Sequence, residues 1–146
     1  MYSSLMNKRP EPVGAVLWRV LHVAHELEGR IESALSQVDL SLPKLGVLRI
    51  LADAKEPLPL SQLAEHSRCV RSNMTQLVDR LEADGLVRRV NDDADRRVRR
   101  AALTAAGRKA CDRGTRIVQT FERATTDALS PGDAAALSQA LGQLGR

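Results

Sequence analysis

The feature that most constrains this chain is a single change of apolar period between two stretches of helical pattern. Leu86 to Val90 and Val98 to Leu103 are short runs of strand character. Between them lies Asn91-Asp92-Asp93-Ala94-Asp95, a run of turn-forming residues. The spacing predicts a β-hairpin over 86–103, and six arginines from Arg88 to Arg100 make it strongly basic.

On either side the period is helical. From Val13 the apolar positions Val16, Val20, Ala24, Leu27, Ile31, Leu35 and Val38 recur at three and four, giving a long amphipathic helix over 13–38. Residues 1–12, with Pro10 and Pro12, read as a flexible arm before it. Ser41 with Pro43 in the first turn starts a second helix through Leu45, Leu48 and Leu51, and the Pro57–Pro59 segment breaks it. A short helix from about Leu60 to His66 and another from about Arg71 to Ala83 follow. Met74, Leu77, Val78 and Leu81 of the latter face inward, and Gly85 takes the left-handed position past its end. Thr104 caps a further long helix with Cys111, Ile117, Phe121, Ala124 and Ala128 on one stripe. Ser130-Pro131-Gly132-Asp133 opens the last helix, through Leu137, Leu141 and Leu144.

Charge is divided unevenly along the 146 residues. Residues 60–110 hold 11 Lys/Arg against 7 Asp/Glu, which accounts for the whole net charge of +4. All of these bases except Lys109 are arginine, the side chain suited to bidentate contacts with phosphate and guanine. A polyanionic partner is expected, against the alternative of a solvated charged face. With aromatics at 2%, stacking on single-stranded nucleic acid is excluded as the main mode. There is no apolar run of membrane-spanning length and no signal-peptide core, so a cytoplasmic protein without membrane contact is expected. Cys69 and Cys111 imply no disulfide framework. No phosphate-cradling glycine loop, metal cluster or Ser/His/Asp pattern appears, so neither an enzyme nor a cofactor is expected.

Two short helices joined by a tight turn and followed by a hairpin make a winged helix-turn-helix. Its second helix enters the major groove. Arg71, Ser72, Asn73, Thr75 and Gln76 are the candidate base-reading set, since Arg suits guanine, Asn and Gln suit adenine, and Ser and Thr are permissive. Arg68 and Arg80 are candidates for phosphate. Arg96 and Arg97 are placed to reach a minor groove, or else one of them pairs locally with Asp92, Asp93 or Asp95.

Leu63-Ala64-Glu65, Arg71 through Glu82, Asp84-Gly85-Leu86-Val87-Arg88-Arg89, Asp92 through Arg97 and Leu103 through Arg108 together resemble the multiple antibiotic resistance regulator (MarR) family. The likeness runs at motif level from about Leu42 to Arg108. It departs in the turn Ser67-Arg68-Cys69-Val70, where the family usually has a Gly-containing turn and a Ser or Thr cap. Pro59 likewise stands where a Thr cap is common. The resemblance implies a homodimer built by terminal helices and carrying two lobes on pseudo-palindromic promoter DNA, usually a repressor released by a small molecule or an oxidant. The expected division is then a dimerisation helix over 13–40, a DNA-binding lobe over 41–103 and C-terminal dimerisation helices over 104–146. The stripe of the first helix, too long for the lobe alone to cover, points the same way.

For a small-molecule effector the resemblance implies a pocket between the dimerisation helices and the lobe. Trp18, His22, His25 and Arg49 are candidates to line it, against a structural role for Trp18 and solvated histidines. His22, His25 and Glu26 alone are too few to predict a metal site. Cys69, flanked by Arg68 and Arg71, is a candidate redox sensor, against a small buried hydrophobe. A winged-helix module that meets an acidic protein is the alternative to DNA reading.

Overall fold

The computed structural model describes residues 14–67 and 71–145, so the arm over 1–12 lies outside the described residues. In chain order the elements are α1 (Ala15–Ser36), α2 (Leu42–Asp53), β1 (Leu58–Pro59), α3 (Leu60–His66), α4 (Arg71–Ala83), β2 (Val87–Asn91), β3 (Arg99–Leu103), α5 (Ala105–Thr126) and α6 (Pro131–Leu144). The architecture is mainly α, with a winged helix-turn-helix lobe between terminal helices, as the sequence pattern predicts.

Helix starts follow local chemistry. Ser41 accepts from the Lys44 amide at 3.3 Å, Thr104 from the Gly107 amide at 2.9 Å, and Ser130 from the Asp133 amide at 3.1 Å. Each side chain satisfies an amide that has no partner within its helix. At the start of α2, Glu32 of α1 also accepts from the Leu42 amide at 2.9 Å.

Two helices end in the same closed motif. After α4, Gly85 has φ +74°, the Gly85 amide donates to Glu82 and the Leu86 amide to Leu81, both at 2.9 Å. The first helix ends earlier than its stripe predicts. Asp39 takes φ 58°, its amide donates to Ser36 at 3.2 Å, and the Leu40 amide donates to Leu35 at 3.0 Å. Asp tolerates this left-handed conformation, and the turn lets buried Leu35 and Leu40 meet in the core, so Val38 stands beyond the helix. Likewise α5 ends at Thr126, and Ala128 lies past it rather than on its stripe.

The sheet has three antiparallel strands in the order β1-β3-β2, one more than the sequence predicts. Leu58 stands opposite Ala101 and Pro59 opposite Arg100, so the segment expected only to break a helix also supplies an edge strand. Pro is tolerated there because an edge strand has one side free of ladder bonds. The hairpin pairs Val87 with Leu103 through Asn91 with Arg99. Beneath it the core joins Leu45, Val47, Leu48 and Leu51 of α2, Leu63 of α3 and Met74, Val78 and Leu81 of α4. Ala101, Ala110 and Cys111 complete it from the sheet and α5.

Candidate nucleic-acid interface

The orientation of α4 is fixed by its apolar face. Met74, Val78 and Leu81 are fully buried and Leu77 half-buried, at the helical spacing that puts all four on one side. The same spacing turns Asn73, Thr75, Gln76 and Arg80 outward, and all four are exposed. Arg71 and Ser72 stand in the first turn of α4. Their side chains, with Arg68 and Cys69, lie outside the described residues.

Asp92 and Asp95 build the wing tip. Asp92 Oδ1 accepts from the Ala94 amide at 2.9 Å and Asp95 Oδ1 from the Arg97 amide at 3.0 Å, each folding the chain back two residues on. Asp92 Oδ2 also takes Arg100 Nε at 3.0 Å and Arg100 Nη2 at 2.9 Å. The Ala94 amide and then Arg100 hold the Asp92 carboxyl below the usual aspartate range. Arg100 in turn donates through Nη1 to Pro57 O at 3.2 Å, tying the tip to the residue just before the edge strand. The local pair that was the alternative role for Arg96 or Arg97 is made at Asp92 by Arg100. Arg96 and Arg97 are exposed and, among the described residues, their guanidiniums form no ion pair.

One residue has no role of its own in the sequence reading. Arg89 of β2 reaches α4, where Nη2 binds Asp79 Oδ1 and Nη1 lies 3.5 Å from Glu82 Oε1. Its backbone N–H donates to Glu82 Oε2 at 3.1 Å. Asp79 and Glu82 are one turn apart on α4, so one strand arginine holds both and fixes the wing against the helix. The signal in the sequence was that acidic pair, but only the hairpin register shows which arginine faces it.

Between wing and helix lies a trough of about 490 Å³, bordered by Ser61, Thr75, Arg89, Arg97 and Arg99. The Ser61 hydroxyl and the Arg97 and Arg99 guanidiniums on its border can take anionic oxygens, while Arg89 is held by Asp79 and Glu82. A wider open cleft of about 680 Å³ lies between α2 and the α3–α4 pair, bordered by Arg49, Asp53, His66, Asn73 and Met74. Trp18, His22 and His25 do not border it. They are exposed on α1, where His22 Nε2 lies 3.5 Å from Glu26 Oε1. Among the described residues no group of three or more His, Cys, Asp or Glu is placed to hold a metal ion. No helix among them is long and apolar enough to cross a membrane.

Residues 40–98 match the family model described as MarR family. The transcriptional regulator HosA of Escherichia coli O111:H- is 38% identical over 71 residues, 49% of this chain and 52% of that protein. The chain thus spans about half the length of the curated relatives it matches. AbsC of Streptomyces coelicolor, a MarR family transcriptional regulator, has a similar crystal structure. It superposes with a TM-score of 0.79 at 27% identity, over 94% of this chain and 95% of that one. A mutant MarR from E. coli complexed with operator DNA gives a TM-score of 0.78 at 24% identity, over 88% and 92%. At that identity the likeness is one of fold.

Proposed function

The winged helix-turn-helix segment of this chain, residues 40–98, belongs to the MarR family, and on that premise we propose that the protein is a homodimeric, sequence-specific DNA-binding regulator. It acts by binding rather than catalysis and represses promoters from a pseudo-palindromic site. One observation carries this reading: α4 is anchored by fully buried Met74, Val78 and Leu81 and turns Asn73, Thr75 and Gln76 to solvent beside an arginine wing. Rigidly held Asn and Gln can read adenine edges in the major groove, with Arg71 and Ser72 completing the set from the first turn. Arg96 and Arg97 enter the minor groove, while Arg68 and Arg80 take phosphates.

Dimerisation is supported by apolar surface that the lobe leaves uncovered. On α1, Val16, Leu17, Trp18 and Leu21 are 50–72% exposed, and on α6, Leu137, Leu141 and Leu144 are 44–62% exposed. A second copy covering both helices removes that surface from water. Two recognition helices then face half-sites one DNA turn apart, about 34 Å. A small molecule in the cleft beside Arg49 would touch Asn73 and Met74 of the reading helix, which links occupancy to release of DNA.

Selection from a random duplex library at about 150 mM salt tests the reading. Recovery of an inverted repeat with half-sites one turn apart is expected, and Asn73→Ala with Gln76→Ala should abolish discrimination between recovered and scrambled sites. Binding without sequence enrichment would refute it. Dimerisation is read separately: the emission of Trp18, the sole tryptophan, should shift to the blue as the protein is concentrated.

A further inference from the structure

The outer face of α5 carries charge that the DNA-reading elements do not use. Its inner face buries Gly107, Ala110, Cys111 and Gly114. The outer face presents Lys109, Arg113, Arg116 and Arg123, all exposed, in a line about 21 Å long at the helical rise. Steps of four, three and seven residues keep them on one side. None of the four is in an ion pair with a described residue. Other bases of the lobe are neutralised: Lys44 by Asp84, Arg89 by Asp79 and Glu82, and Arg100 by Asp92. At its N-terminal end the line borders a notch of about 370 Å³ whose walls include Leu86 and Ala106 and one carboxylate, Asp112, set among Lys109, Arg113 and Arg116, so that the three bases outnumber it.

The position of this surface argues against the same duplex as its partner. Both reading elements run away from the junction at which α5 begins. The C-terminal end of α4, at Ala83, lies there, and the reading residues occupy the opposite end. Likewise β2 leaves the junction at Val87 and β3 returns to it at Leu103. Five strand residues place the wing tip about 17 Å away.

We propose that this face of α5 is a docking surface for an acidic, amphipathic segment of a partner protein. Carboxylates spaced i, i+4 and i+7 on a partner helix meet Lys109, Arg113 and Arg116, and one apolar side chain of that helix enters the notch beside Leu86 and Ala106. Because the surface lies at the far end from the reading residues, docking and DNA binding are compatible. That last point rests on the DNA-binding reading, and the availability of this face rests on a dimer closed by the apolar faces of α1 and α6, where the exposed large apolar side chains lie, so that the charged side of α5 stays outside it.

The probe is a fluorescein-labelled synthetic helix of about 15 residues with glutamates at i, i+4 and i+7 and one leucine a turn before them, titrated by anisotropy at about 150 mM salt. Saturable binding is expected. Arg113→Glu with Arg116→Glu should weaken it about tenfold or more, and the neutral pair Lys109→Gln with Arg123→Gln should weaken it less. Circular dichroism checks that each variant is folded. Arg96→Glu should leave peptide binding unchanged, and the peptide should bind equally well with the selected duplex present. No saturable binding, or equal binding to the Arg113/Arg116 reversal, overturns the proposal. Loss of duplex affinity in that reversal as large as the loss of peptide affinity also overturns it, because the stripe is then a DNA contact.

Discussion

Replacing Gly107 with alanine probes a close approach where the base of the wing meets α5. A Cβ at this position would overlap the Leu86 carbonyl oxygen and stand 2.9 Å from its carbon and 3.1 Å from Leu103 Cδ2. The backbone there is not free to yield. Leu86 O accepts from the Thr104 amide at 3.1 Å, and Thr104 Oγ1 donates to Gly85 O at 2.6 Å while accepting from the Gly107 amide. Relieving the clash means moving the Leu86 carbonyl off Thr104 or lifting the first turn of α5 off the sheet. Overpacking of this kind costs about 1–3 kcal/mol, and a displaced hydrogen bond adds about 1 kcal/mol. The higher helix propensity of alanine offsets at most about 1 kcal/mol. The net expectation is a destabilisation of about 1–3 kcal/mol. Urea unfolding at one fixed protein concentration measures it, since the stability of the proposed dimer would depend on concentration. Gly46→Ala is the comparison: Gly46 is inside α2 with nothing within 4 Å of its Cβ position, so a gain of about 0.5–1 kcal/mol is expected. If Gly107→Ala raises the urea midpoint as Gly46→Ala does, the steric reasoning is wrong.

Three further outcomes follow from the site. Arg89→Met keeps the stem but leaves Asp79 and Glu82 without their cation, and should destabilise by about 1–2 kcal/mol, reduced by the partial exposure of both acids. In a footprint of the selected duplex, wing protection should disappear before recognition-helix protection does, and simultaneous loss would count against the clamp. Because the folded Asp92 carboxyl is held below its ordinary value of 3.8, its contribution to wing order is fully present above that value and is lost as pH falls through the lower folded one. Following the Ala94 amide by NMR, a titration midpoint at or above 3.8 would contradict the assignment. Burial raises the Cys111 thiol above its usual range, so in a Cys69→Ser chain alkylation should be slower than in urea by at least about a hundredfold. Comparable rates would mean that this part of the core opens readily.

What the sequence determined by itself is what neighbouring residues decide among themselves. Ser41, Thr104 and Ser130 cap their helices because the amides they accept from are three residues on. Gly85 takes positive φ because the residue after a helix end is the one asked to do so. Met74, Leu77, Val78 and Leu81 mark the buried side of α4 because the helical period alone puts them together, which leaves Asn73, Thr75 and Gln76 outside. The run from Leu86 to Leu103 shows its hairpin through turn chemistry and strand character. The tertiary structure decided everything that needed a partner distant in sequence. Leu58–Pro59 becomes a strand only because Arg100 and Ala101 lie beside it, and two residues with a proline carry no local strand signal. Arg100 rather than Arg96 or Arg97 takes Asp92, because the antiparallel register returns it to the acid's side of the tip. Arg89 becomes the clamp on α4 for the same reason, and a side chain at 107 is disfavoured only because Leu86 approaches there. Local preferences act through bonds a few residues long, whereas pairing, register and close approach depend on which distant surfaces the shared core brings together.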